Sequence, residues 1–393
     1  MRAWGLVLAL MVAGCSSGSS HTEPPPPSPT PTVSSTPTVS PTAASPTATP
    51  AAPRGFLVSS VTATSATEGY VLGTTAGCKP ISCTRLLHTV DGFRTFTTVT
   101  PPPAPVRQGD PAAIGVIDGT LNAVSDIRAD GSGDKWAFGQ VLLTRHHGGP
   151  WTKVKDMGNV LALEVSAHEV VAVTCESNAN QCGMGRGTVM RSPRDRDAFA
   201  EAPLPRGFHP QGQASYAISG THVSILDSDP SGTGRRSLFE SDDSGRTWRG
   251  RRLEVSEKSA AVIAVTPAGT TCVLQYVMGA DNDGLGCPTG TRVDAVHGPY
   301  VGGQAPTALA AWSTTRLIGA ANDTVVRSTD GSSYGAVVLP GADPKTVLTY
   351  LGFTDAEHAF ALAAGDSNAR TGEGRLWRTS DGGATWSRVL VKG

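Results

Sequence analysis

An Asp-Gly turn closed by an aromatic residue recurs along this 393-residue chain, and its spacing restricts the fold more than any other feature. It is clearest from Ser241 to Trp248, which carries Asp242, Asp243 and Gly245, and from Thr379 to Trp386, which carries Asp381 and Gly383. Weaker copies run from Thr89 to Phe96, with Asp91 and Gly92, and from Ser328 to Tyr334, with Asp330 and Gly331. Two more are degenerate, one ending at Trp151 and one at Phe199. The closing aromatics stand at 96, 151, 199, 248, 334 and 386, and the long interval before Tyr334 predicts an eroded copy near 293–300. Seven copies over residues 55–393 give a repeat of about 48 residues, the length of one propeller blade.

Each unit has one inner grammar: an apolar run, a short polar turn, a second run, a variable loop, a third run, the Asp-Gly turn and an aromatic-led strand. Four short strands joined by tight turns make one antiparallel sheet, which is poorly stable until neighbours cover both its faces. The predicted fold is therefore all-β, a seven-bladed propeller over 55–393. Its first blade begins with its innermost strand near Phe56 to Ala63 and its last ends near Val391, so every blade is contiguous in the chain. High Gly (46) and Pro (29) with 17% charged residues suit such a turn-rich body.

The N-terminus reads as an address. Arg2, an apolar run from Ala3 to Ala13 and small residues before Cys15 have the layout of a signal peptide over residues 1–14, too short for a spanning helix. Val12-Ala13-Gly14-Cys15 resembles the bacterial lipobox. That resemblance implies cleavage before Cys15, a lipid on its sulfur, and tethering to the outer side of the cytoplasmic membrane. From Cys15, a spacer runs to residue 54; its residues 16–54 hold 11 Pro, 9 Ser and 8 Thr and cannot bury a core, so it is predicted to stay extended. In polyproline form it reaches roughly 120 Å. The other six cysteines fall in close pairs, Cys78/Cys83, Cys175/Cys182 and Cys272/Cys287, and local disulfides are the simplest reading in an oxidising compartment.

The Asp-Gly element is similar to the Asp-box, or BNR repeat, of sialidases, sortilin-type receptors and a photosystem assembly factor. The resemblance implies a structural role: the carboxylate accepts turn amides, glycine takes positive φ, and the aromatic packs between sheets. In sialidases the catalytic site lies on the face opposite the Asp-boxes, which directs attention to the loops at 76–84, 175–186, 229–235, 278–290 and 365–374. The sialidase Arg-Ile-Pro segment is absent here. Tyr70, Tyr216, Tyr276 and Tyr350 are expected on inner strands without a motif to mark a nucleophile. Arg235, Arg236, Arg249, Arg251 and Arg252 are expected at solvated positions.

Other chemistry is thinly represented. Asp130 to Asp134 and Asp281 to Gly284 resemble fragments of calcium loops but lack the closing Glu, and His146-His147 has no third ligand in view. No metal or cofactor is expected. A formal net charge of -1, from 32 basic and 33 acidic residues, argues against a nucleic-acid partner. The resulting expectation is a monomeric, non-enzymatic, lipid-anchored extracytoplasmic propeller that binds a protein or glycan or serves as an assembly scaffold. The alternative is an exo-α-sialidase-like glycoside hydrolase, which needs acidic side chains and a tyrosine converging in the funnel.

Overall fold

The structure, a computed structural model, describes residues 56–75, 84–101, 126–129, 135–138, 142–144, 152–153, 159–165, 169–175, 187–193, 198–206, 208, 214–227, 236–254, 259–277, 284–290, 306–321, 324–342, 346–363 and 374–391. The chain divides into two units, Met1–Ala48 and Thr49–Gly393, and all described residues belong to the second. The signal layout, Cys15 and the spacer lie outside them, as do Cys78, Cys83, Cys182 and Trp151 and the side chain of Cys175.

Every sheet is antiparallel and its strands follow chain order from the inside outward. The first holds β1 (Phe56–Ala63), β2 (Gly69–Thr75), β3 (Thr84–Thr89) and β4 (Thr97–Val99). The second holds β5 (Asp126–Ala129), β6 (Lys135–Phe138), β7 (Leu142–Thr144) and β8 (Thr152–Lys153). The third is β9 (Asn159–Val165), β10 (Glu169–Cys175), β11 (Gly187–Pro193) and β12 (Ala200–Ala202). In the fourth are β13 (Ser215–Ser219), β14 (His222–Asp227), β15 (Arg236–Ser241) and β16 (Arg249–Leu253). The fifth has β17 (Ser259–Val265), β18 (Thr271–Val277) and β19 (Gly284–Gly286). The sixth comprises β20 (Ala308–Ala311), β21 (Leu317–Ala321), β22 (Thr324–Ser328) and β23 (Tyr334–Val337). The last comprises β24 (Leu348–Phe353), β25 (Ala359–Ala363), β26 (Arg375–Thr379) and β27 (Ser387–Val389). This is an all-β propeller with four-stranded antiparallel blades.

The expectation of seven four-stranded blades is met in six. The sheet at 259–286 has three strands among the described residues, and the eroded copy near 293–300 lies outside them. One expected loop is also corrected: within 278–290, Gly284–Gly286 forms β19, pairing with Val273–Gln275. Two glycines around one leucine carry no strand signal, so pairing with the apolar β18 decides the matter.

Burial explains the sheet grammar. β14, β21 and β25 are buried at every residue, because each second strand is covered by a neighbouring sheet on both sides. The outermost strands β4, β16 and β27 are short and mostly exposed, and β16 carries Arg249, Arg251 and Arg252, which discourages edge-to-edge pairing. Closing aromatics reach backward across seams. Trp248 donates its indole N–H to Pro203 O at 2.7 Å, and the Tyr334 hydroxyl donates to Leu285 O at 2.7 Å. The first and last sheets meet through an apolar cluster: Phe56, Val61 and Phe93 pack with Phe360, Leu362 and Leu376. Among the described residues no strand is exchanged at that closure.

Candidate functional site

The predicted Asp-box residues assemble as turn locks. Asp91 accepts the Thr95 amide at 2.9 Å and the Thr95 and Thr89 hydroxyls at 2.6 and 3.0 Å. Asp243 does the same with Thr247 and Ser241, and Asp381 with Thr385 and Thr379. Asp330 takes the Ser332 and Ser333 amides at 2.8 and 2.7 Å in a shorter copy. Burial pushes the Asp91, Asp243 and Asp381 carboxyls up, but these hydrogen bonds outweigh it and leave each lowered to about 2. Turn amides hold Asp330 well below the usual carboxylate range.

Two successive residues take positive φ in each full copy: Gly92 and Phe93, Ser244 and Gly245, Gly382 and Gly383. The first of each pair donates its amide to the first hairpin of its own blade, at Thr67 O, Thr221 O or Glu357 O, within 2.8 Å. Asp242 is a correction. It sits beside the lock, not in it, pairing with His222 Nδ1 at 2.7 Å and with Arg249. Only an Asp two residues after the Ser or Thr can reach that hydroxyl and the amide four residues on.

Of the arginines expected at solvated positions, Arg249 and Arg252 are exposed and Arg235 lies outside the described residues, whereas Arg236 and Arg251 depart from expectation. Arg236 is buried at 4% exposure next to the charge of Asp227; burial lowers its pKa and Asp227 opposes that shift. Arg251 pairs with Glu240 at 3.1 Å and donates to Pro288 O and Gly290 O at 2.7 and 2.6 Å, tying the fourth sheet to the fifth. Cys272 and Cys287 form a disulfide that joins β18 to the residue just after β19. Arg378 donates to Gly92 O across the closing seam, and Arg327 to Gly382 O at 2.7 Å across the one before it. Both occupy the position before the turn's Ser or Thr, where the first and fourth blades carry His88 and Glu240 instead.

The cavity lies where first strands converge. A chamber of about 420 Å³ is lined from β1, β9, β13, β17, β20 and β24, at or toward their C-terminal ends. Turns after the first and third strands leave a blade at that end, so the chamber sits toward the side of the Asp-Gly turns. Of the opposite-face loops, only residues 84, 175, 284–290 and 374 are described. Tyr216 and Tyr350 line the chamber, whereas Tyr70 and Tyr276 are on the second strands β2 and β18. Tyr70 is buried and stacks on His88.

The described lining lacks the charged groups that sialidase chemistry uses. Among the described residues it holds one ionisable carboxylate, Glu164, and no Arg, Lys or His. A carboxylate clamp of three arginines is therefore missing from the described wall. Burial raises the Tyr216 phenol and the charge of Asp227 raises it further, the opposite of an activated nucleophile. Trp312, Phe353 and the two tyrosines supply flat apolar surface with polar edges. Among the described residues no group of side chains could hold a metal ion.

An Asp–His–Ser array does occur, at Asp242, His222 and Ser224. Ser224 has 0% exposure inside the seam between the fourth and fifth sheets, where no substrate carbonyl can approach it.

No family model matches the chain, and no curated protein does. Among solved structures, YCF48 from Cyanidioschyzon merolae is similar at 14% identity and a TM-score of 0.54, covering 84% of this chain and 96% of that one. YCF48 bound to D1 peptide gives 14%, 0.52, 84% and 95%. Virginiamycin B lyase from Staphylococcus aureus gives 11%, 0.50, 82% and 94%. What this chain shares with these proteins is the β-propeller fold.

Proposed function

We propose that this protein is a non-enzymatic propeller that binds a protein or glycan outside the cytoplasmic membrane, tethered by a lipid on Cys15. In this reading the sheet at 259–286 is a complete seventh blade whose outer strand falls near 293–300, and the tether holds the ring clear of the lipid surface. The observation that carries the binding role is the preformed chamber with aromatic walls and no cationic clamp among its described residues. A YCF48 structure contains a bound D1 peptide, so a neighbour of this fold holds a peptide. A protein segment is accordingly favoured over a sialylated glycan.

Placing a photo-crosslinking amino acid at Trp312, and separately at Arg252 on the outer edge, in the full chain in its native envelope tests this. The reading requires a discrete adduct from position 312 that is absent from position 252. Equal labelling from both positions, or turnover of fluorogenic sialosides by the purified protein, would reject it. Mass spectrometry of the mature N-terminus tests the anchor separately, and an unmodified Cys15 would reject that part alone.

A further inference from the structure

The described wall of the chamber is aromatic at several points and charged at one. Tyr216, Trp312, Tyr350 and Phe353 line it, and all four are half-buried, so part of each ring stays accessible. A register shift between Leu348 and Tyr350 re-aims the Tyr350 side chain along its own strand. There it lies over Gly352, where a Cβ would collide with its ring and hydroxyl. Glu164 supplies the charge.

The hairpins that continue this wall carry the same sign. Those described are 64–68, 220–221, 266–270, 312–316 and 354–358. Together they hold Glu68, Asp355 and Glu357 against one arginine, Arg316. Glu68 and Asp355 touch the rings of His88 and His358 and stay partly exposed, and Glu357 is exposed. Arg316 donates to Ala356 O at 2.5 Å. Farther out, on third strands, Arg327 and Arg378 are held on Gly382 O and Gly92 O. The face of an aromatic ring is the negative side of its quadrupole and attracts cations. Carboxylates gathered at the mouth of a low-dielectric cleft focus a field that draws the same charge.

We propose that the chamber takes a basic protein segment: a lysine or arginine side chain enters between the aromatic walls, and the hairpin carboxylates guide its approach. This rests on the reading that the chamber binds a protein segment, and it narrows the partner to one of positive charge. An acidic segment would meet Glu164 and three hairpin carboxylates of its own sign, a juxtaposition that suppresses binding. A neutral segment would gain contact with the rings and nothing from the field. Ionic strength separates the two contributions. The hairpin carboxylates act through solvent and are screened by salt, whereas a cation seated against the rings inside the chamber is screened much less.

The test is fluorescence anisotropy of three labelled peptides, alternating Lys-Ser, Gln-Ser and Glu-Ser, titrated with the full chain at neutral pH. At about 0.05 M salt the Lys-Ser peptide should bind about tenfold more tightly than either of the others. Glu68→Gln/Glu357→Gln should weaken that binding about fivefold at low salt and leave it unchanged at about 0.5 M, whereas Trp312→Ala should weaken it at both. Glu201→Gln, an exposed carboxylate removed from the outermost strand of the third sheet, should change nothing. Equal binding of the three peptides, a tighter Glu-Ser complex, or the same loss from Glu201→Gln as from the hairpin pair overturns the proposal. Should Trp312→Ala fail to fold, the peptide ranking and the hairpin pair decide. The crosslink at position 312 answers separately whether the chamber binds at all: an adduct with a segment that lacks lysine and arginine keeps the binding role and overturns the charge assignment.

Discussion

At Asp91, Asp243 and Asp381 a single carboxylate satisfies amide and hydroxyl donors that a tight turn would otherwise leave to water. Because each carboxyl is lowered to about 2, its contribution is complete above the unfolded value near pH 4 and is lost as pH falls through about 2. Acid unfolding should therefore steepen within that window. An Asp91→Asn/Asp243→Asn/Asp381→Asn variant should be less stable at neutral pH and flatter across the window, measured by urea denaturation at fixed pH steps. Phe93 yields an inverted prediction. Its φ of 63° favours glycine, while its ring packs against Phe96 and Phe360. Phe93→Ala should lose the packing and keep the strain, so Phe93→Gly should be the more stable of the two by about 1 kcal/mol, reversing the usual order. The locks were legible in the spacing of hydroxyl, Asp and aromatic. The φ of Phe93 was not, because a bulky residue there breaks the local rule and packs in part on Phe360 of a sheet distant in sequence.

Among elements, β19 shows how little local signal a strand requires. Gly284, Leu285 and Gly286 receive the Tyr334 hydroxyl from the sixth sheet, and the segment just beyond them receives Arg251 from the fourth. The disulfide to Cys272 anchors the intervening turn, and its loop spans 15 residues. Replacing both cysteines by serine should cost about 3 kcal/mol on the chain-entropy estimate. Hydrogen exchange should then rise first in β18 and β19, ahead of the second and third strands elsewhere. The cysteine pair was plain in the sequence, but the strand was hidden in an apparent loop. Besides β18 its partners lie on two other blades, beyond any window that periodicity can scan.

At the scale of the whole molecule, the ring closes without a shared sheet, as the contiguous repeats implied. What spacing could not supply is the fastening. Arg378 reaches Gly92 while Phe93 packs on Phe360, joining residues from opposite ends of the repeat array. Arg378→Ala should leave the other seams intact and raise exchange selectively in β1 and β26; a uniform rise would show that closure is not local. The chamber itself was not legible, because its described wall is assembled from the ends of strands scattered over the chain.

That manner of closing bears on the ancestry of the gene. A wheel whose first and last spokes are each made from one stretch of coding sequence has no privileged starting point. Moving the termini to a different gap between spokes should yield a folded permutant. Duplication or loss of a single 48-residue module would change the circumference of the wheel without breaking any spoke.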